Sequence, residues 1–110
     1  MTEFATQTTT DGAVHLILDG PMTIYNAGEI KEQLMLALDA APLMELDLSH
    51  VNEMDTAGFQ LLALAKKESQ SRGHALRIVG HSPAVLEVIE FFNMVAFFGD
   101  PLVIPATAKN

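Results

Sequence analysis

Val51-Asn52-Glu53-Met54-Asp55-Thr56-Ala57-Gly58-Phe59-Gln60-Leu61-Leu62 is the stretch on which the fold turns. Just upstream, Met44-Glu45-Leu46-Asp47-Leu48 alternates apolar and charged residues, the two-residue period of a half-buried strand. Downstream, apolar residues recur at helical spacing as far as Arg72. Asp55 and Thr56 sit at the joint, and either side chain can accept from the unpaired N–H groups of the first helical turn. Ala57 and Gly58 keep that turn almost bare, which predicts a Thr56 hydroxyl reachable from solvent. A glycine inside a helix costs roughly 1 kcal/mol against alanine, but it lets another surface approach the turn closely. Taken alone, the same residues also describe a threonine that does no more than cap a helix.

Working outward, the strand is expected over Leu43 to Ser49. Met44, Leu46 and Leu48 point one way, and Glu45, Asp47 and Ser49 the other. A strand covered by helices on both faces is nearly all apolar; this one has a polar face, and Leu76-Arg77-Ile78-Val79, in a strand over 75–79, repeats the mixture. Helices mainly on one side of the sheet are therefore expected, not a doubly wound fold. Ahead of the joint, the Thr-rich residues 2–10 read as an edge strand. Thr10-Asp11-Gly12 is a hairpin turn into a second strand, Val14 to Leu18, with His15 opposite Val14, Leu16 and Leu18. Asp19-Gly20-Pro21 is expected to close that strand.

Asn26-Ala27-Gly28-Glu29 reads as a capping box with Asn26 as cap. It opens a helix that buries Ile30, Leu34, Ala37 and Leu38 and ends before Pro42. In the central helix, Thr56 to Arg72, the residues Phe59, Leu61, Leu62, Ala63, Leu64 and Ala65 form a broad apolar face, with Gly73 as its stop. Ser82-Pro83, a cap followed by proline at the first helical position, starts a third helix. Its buried stripe is expected at Val85, Leu86, Ile89 and Phe92. Leu102-Val103-Ile104 is expected to add a last short strand. The prediction is an α/β fold: a small mixed β-sheet of four or five strands with helices mainly on one face, in a single domain over 1–110.

Composition narrows the function classes. A hydrophobic share of 49% with 18% charged residues over 110 residues describes one globular domain. A net charge of −8 with six Lys and Arg leaves no nucleic-acid footprint and disfavours anionic membranes. The sequence has no cysteine, which removes disulfides, thiolate metal sites and a cysteine nucleophile. Met1-Thr2-Glu3-Phe4-Ala5-Thr6-Gln7 has no basic region followed by an apolar one, and no apolar run approaches the roughly 18 residues of a span. A cytoplasmic domain without membrane insertion is expected.

Catalytic patterns are sparse. His15, His50, His74 and His81 lack metal-ligand spacing, and there is no phosphate loop or nucleophile elbow. No metal or cofactor is expected. Asp47 with Glu53 or Asp55 reads as solvated or capping rather than as an acid–base pair. Phe91, Phe92, Phe97 and Phe98 read as core packing, although a partly exposed pair would suit docking. The chain is not expected to be an enzyme.

The order of elements together with Asp55-Thr56-Ala57-Gly58 resembles the STAS family, the domain shared by anti-sigma factor antagonists and sulfate transporters. Leu46-Asp47-Leu48-Ser49-His50-Val51 followed by Met54-Asp55-Thr56-Ala57-Gly58 resembles the family's strand and its Asp-Ser/Thr-x-Gly signature. Gly73 before a strand, then Ser82-Pro83-Ala84-Val85, is similar to the entry into its third helix. The resemblance spans residues 10 to 104. It implies phosphorylation at Thr56 by a serine/threonine switch kinase that doubles as an anti-sigma factor, and a phosphatase to reverse it. Partner contacts are implied at Thr23, Asp55, Ala57, Gly58 and Ser82. Two departures stand out: Thr56 replaces the commoner serine, and Thr23 falls where many antagonists carry an acidic residue. The Asp-Thr-Ala-Gly form with Phe-Gln-Leu-Leu is also similar to STAS proteins of bacterial chemotaxis systems. A constitutive STAS subunit of an ABC-type lipid-transport assembly is the alternative role that such a resemblance allows.

Overall fold

Two alternating segments build the centre of the sheet in the computed structural model, which describes residues 5–97. The order is β1 (Ala5–Thr10), β2 (Ala13–Met22), α1 (Ala27–Ala40), β3 (Leu43–Met54), α2 (Thr56–Ser71), β4 (Ala75–His81) and α3 (Pro83–Phe97). The strands lie side by side in chain order. β1 pairs antiparallel with β2, while β2, β3 and β4 run parallel. The hairpin turn falls on Asp11 and Gly12, both at positive φ, which is the twist a two-residue connection between strands demands. The parallel neighbours need helical crossovers, and α1 and α2 supply them.

One face of the sheet carries the core. Val14, Leu16 and Leu18 of β2 and Met44, Leu46 and Leu48 of β3 are buried. Against them pack Ile30, Leu34, Ala37 and Leu38 of α1, Leu61, Leu62 and Ala65 of α2, and Val85 of α3. Each large side chain removed from water contributes about 1.5–3 kcal/mol, so all three helices sit on that face. On the other face His15, Glu45 and Arg77 lie side by side in register. Glu45 bridges His15 Nδ1 at 3.0 Å and Arg77 Nη1 at 3.5 Å. The one-sided mixed sheet expected from the polar face of β3 is the observed architecture.

Several local expectations need correction. Asp19-Gly20-Pro21 does not close β2; the strand runs on to Met22 through two register shifts. Gly20, at φ +96, takes one irregularity, and Pro21 lies beyond Leu18, the last residue paired with β1, where a missing N–H breaks no ladder on that side. β3 likewise continues past Ser49 to Met54, burying Val51 and Met54. Their spacing of three breaks strict alternation, because the pairing skips a residue opposite each β2 irregularity. The Asn26 side chain makes no capping bond to α1 and turns back into the preceding loop instead. Leu64 and Leu86 are exposed, not buried, while Val88 and Ile89 pack against the core. Thr2 to Phe4, Phe98 and the strand expected at Leu102–Ile104 lie outside the described residues.

At the C-terminal end of α2, Gly73 N–H donates to Gln70 at 3.1 Å and His74 N–H to Ser69 at 2.8 Å, with Gly73 at φ +74. This is the paired closure that a glycine stop makes. Arg72 bridges Asp39 of α1 and Glu68 of its own helix. The C-terminal ends of α1 and α2 are thereby tied together.

Candidate functional site at the start of the second helix

β3 delivers the chain to Asp55, and α2 begins at the next residue. Of the two caps the sequence allows, Asp55 is the one used. Its Oδ1 accepts from Gly58 N–H at 3.1 Å, and its Oδ2 accepts from Ile24 N–H at 3.0 Å in the β2–α1 loop. One carboxylate therefore closes the helix and anchors a loop 31 residues away in sequence. These bonds favour the ionised form: the Ile24 N–H, with the Gly58 N–H adding to it, holds the Asp55 carboxyl below its ordinary value.

Gly58 is where that loop and the helix meet. A Cβ added there would stand 2.2 Å from the Met22 carbonyl oxygen. The close approach that the glycine allows is thus made by the chain's own β2 end. The same carbonyl accepts from Asp55 N–H at 3.4 Å, so the last residue of β2 is held to both the cap and the first turn.

Thr56 occupies the first helical position and is exposed. Among the described residues its hydroxyl makes no hydrogen bond to the chain, and the cap is already supplied by Asp55. Ala57 beside it is half-buried. The remaining expected site residues are placed differently. Thr23 is buried, its N–H and Oγ1 donating to Asn26 Oδ1 at 2.8 and 3.3 Å. Gly58 is buried against Met22. Ser82 is buried as the cap of α3, Oγ accepting from Val85 N–H at 3.1 Å and its own N–H donating to Leu48 at 3.2 Å. That bond sets Ser82 beside Leu48, well upstream of Asp55 on β3, while Thr23, Asp55, Thr56, Ala57 and Gly58 form one cluster.

Sequence reasoning missed Ile24 and Tyr25, both exposed in the loop that Asp55 anchors. The signal was two large apolar residues in a turn, outside either periodic pattern. Elsewhere, Asp47 accepts from Ser49 Oγ at 2.7 Å and Ser49 N–H at 2.9 Å. Those bonds hold its carboxyl below the ordinary value, the Ser49 hydroxyl contributing most. Phe92 stacks on Phe59 with centroids 4.3 Å apart, and Phe91 meets Phe92 edge-on while remaining exposed.

A mixed sheet with helices on one face and a signature Asp-Thr-Ala-Gly at the start of its second helix defines the class. The sequence model of the family described as "Mlab, STAS domain" matches residues 5–103. The chain belongs to this STAS family. Similar solved structures agree in fold. An anti-sigma factor antagonist from Mycobacterium paratuberculosis is 20% identical, with a TM-score of 0.71 over 90% of this chain and 86% of that one. A putative anti-sigma factor antagonist from Thermotoga maritima is 21% identical, with a TM-score of 0.73 over 86% and 82%. The Bacillus cell fate determinant SpoIIAA in its phosphorylated form is 18% identical, with a TM-score of 0.64 over 80% and 82%. A search of curated proteins returned no match.

Proposed function

We propose that this chain is a non-enzymatic regulatory module, similar to anti-sigma factor antagonists, whose choice of protein partner is set by phosphorylation of Thr56. The implied counterparts are a serine/threonine switch kinase that is also an anti-sigma factor, and a phosphatase that resets the switch. The observation that carries the reading is the division of labour at the joint. Asp55 caps the helix and holds the loop, so the Thr56 hydroxyl is exposed and owes nothing to the fold.

A phosphate on Thr56 adds about −1.5 to −2 charges at a helix N-terminus, where the dipole favours negative charge. The fold keeps its cap through the modification, and only the presented surface changes. SpoIIAA, of the same fold, is known in unphosphorylated and phosphorylated forms, which supports reading the fold as one that tolerates such a group. In this reading Thr56, Ala57 and the outer edge of Asp55 meet the partner. Thr23 and Gly58 shape the contact from beneath, and Ser82 sets the direction of α3. The test is binding to the purified switch kinase. Thr56→Ala should bind as the unmodified chain does and Thr56→Glu should not; equal binding by both would refute the reading.

A constitutive subunit of an ABC-type lipid-transport assembly is the second reading, and the exposed apolar pair Ile24 and Tyr25 beside the joint favours it, because a permanent subunit keeps such a surface covered. Stable co-purification with an ABC ATPase, unaffected by Thr56→Glu, would select it.

A further inference from the structure

The β2–α1 loop carries two large apolar side chains into solvent: Tyr25 is 96% exposed and Ile24 64%. Its backbone is nevertheless held at every step. Ile24 N–H donates to Asp55 Oδ2 at 3.0 Å, Tyr25 N–H to Thr23 Oγ1 at 3.3 Å, and Thr23 N–H to Asn26 Oδ1 at 2.8 Å. Asn26 N–H returns to Thr23 at 3.1 Å, and Asn26 Nδ2 donates to the Pro21 carbonyl. This explains why Asn26 gives up its capping bond. A loop whose backbone is fixed in advance leaves only the side-chain torsions of the ring to be ordered on binding, and central aromatic side chains are the usual anchors of interfaces.

The charge around this anchor has one sign. Residues 19–30 and 50–60, which lead into and out of the joint, contain Asp19, Glu29, Glu53 and Asp55 and no Lys or Arg. Lys31 follows in the second turn of α1, while Lys66, Lys67 and Arg72 lie in the C-terminal half of α2 or at its end. Building on the reading of Thr56 as partner-facing, we propose that Tyr25 and Ile24 are the apolar anchor of that interface. The occupant is a protein with an apolar socket rimmed by Arg or Lys. A basic rim attracts phosphate, so exchange at Thr56 works through the bulk and bound water of the new group, not through like-charge repulsion.

The test begins with the photo-crosslinker p-benzoylphenylalanine at position 25 in the full chain in native cells. The crosslinked protein is then purified and titrated with the wild type, Tyr25→Ser, Ile24→Ser, Glu53→Lys and Thr56→Gln at low and high salt. Tyr25→Ser should weaken binding by about tenfold or more, with unchanged urea midpoints because the ring touches solvent. Added salt and Glu53→Lys should each weaken it, and Thr56→Gln should weaken it as Thr56→Glu does. No crosslink, a crosslink to a second copy of this chain, full affinity for Tyr25→Ser, or binding that salt leaves unchanged would overturn the proposal. Loss of binding in Tyr25→Ser with Thr56 never phosphorylated in cells would sink the switch and leave the anchor standing.

Discussion

Gly58→Ala is the perturbation that reads the joint most sharply. In an exposed helix the change is favourable by up to about 1 kcal/mol. Here the new Cβ would stand 2.2 Å from the Met22 carbonyl oxygen and 3.1 Å from its carbon. The overlap with an ordinary contact is roughly 1 Å, and the opposing atom is sheet backbone, which cannot rotate away as a side chain can. Either α2 lifts from β2, breaking the Asp55 bonds to Ile24 and to the helix, or Met22 leaves its place in the sheet. Overpacking of this kind costs about 1–3 kcal/mol; with a rigid obstacle and two anchored elements we expect the upper half of that range. For a chain of this size the melting temperature should fall by on the order of 10 °C. Gly28→Ala is the matched control, since nothing lies within 4 Å of its added Cβ, and it should be neutral or stabilising by about 0.5 kcal/mol. The assay is urea unfolding of both variants, followed by circular dichroism. A Gly58→Ala protein as stable as the wild type would refute the claimed contact between α2 and Met22.

Three further outcomes are expected. Thr56→Ala should leave stability within about 0.5 kcal/mol of wild type, while Asp55→Ala should cost about 1–2 kcal/mol as a lost cap and loosen hydrogen exchange at the Ile24 amide; the opposite ranking would assign the cap to Thr56. Asp55 and Asp47 both titrate below their ordinary value of 3.8 in the fold, so the unfolded chain takes up their protons first. Their contribution is complete above about pH 3.8 and is lost as pH falls through the lower folded values; urea midpoints measured down that range should decline, and less steeply in Asp55→Asn. Phe92→Ala should destabilise by more than Phe91→Ala, because Phe92 stacks on Phe59 with planes 7° apart while Phe91 is mostly exposed; thermal melts of the two variants compare them directly.

The one-sided sheet was legible because it rests on composition along a strand: Glu45 and Asp47 between Met44, Leu46 and Leu48 leave only one face to cover. The α1 stripe of Ile30, Leu34, Ala37 and Leu38 was legible for the same reason, as was the Ser82-Pro83 start of α3, where cap and proline act locally. The misreadings lie where a distant partner decides. Asp19-Gly20-Pro21 and Ser49 look like strand ends, and only the pairing of Asp19 to Met22 with His50 to Met54 keeps both strands going. Asn26 has the chemistry of a cap, but the polar groups of Pro21 and Thr23 lie nearer. At the joint, the sequence allowed either Asp55 or Thr56 as cap. The Ile24 amide, far away in the chain, selects the aspartate and thereby frees the threonine.

Intact mass of the chain isolated from its native cells, beside a Thr56→Ala control, tests the central claim most directly. The switch predicts a phosphate-sized increment in a fraction of the wild type that is absent from the control. An increment that persists in Thr56→Ala, or none under any growth condition, would contradict it.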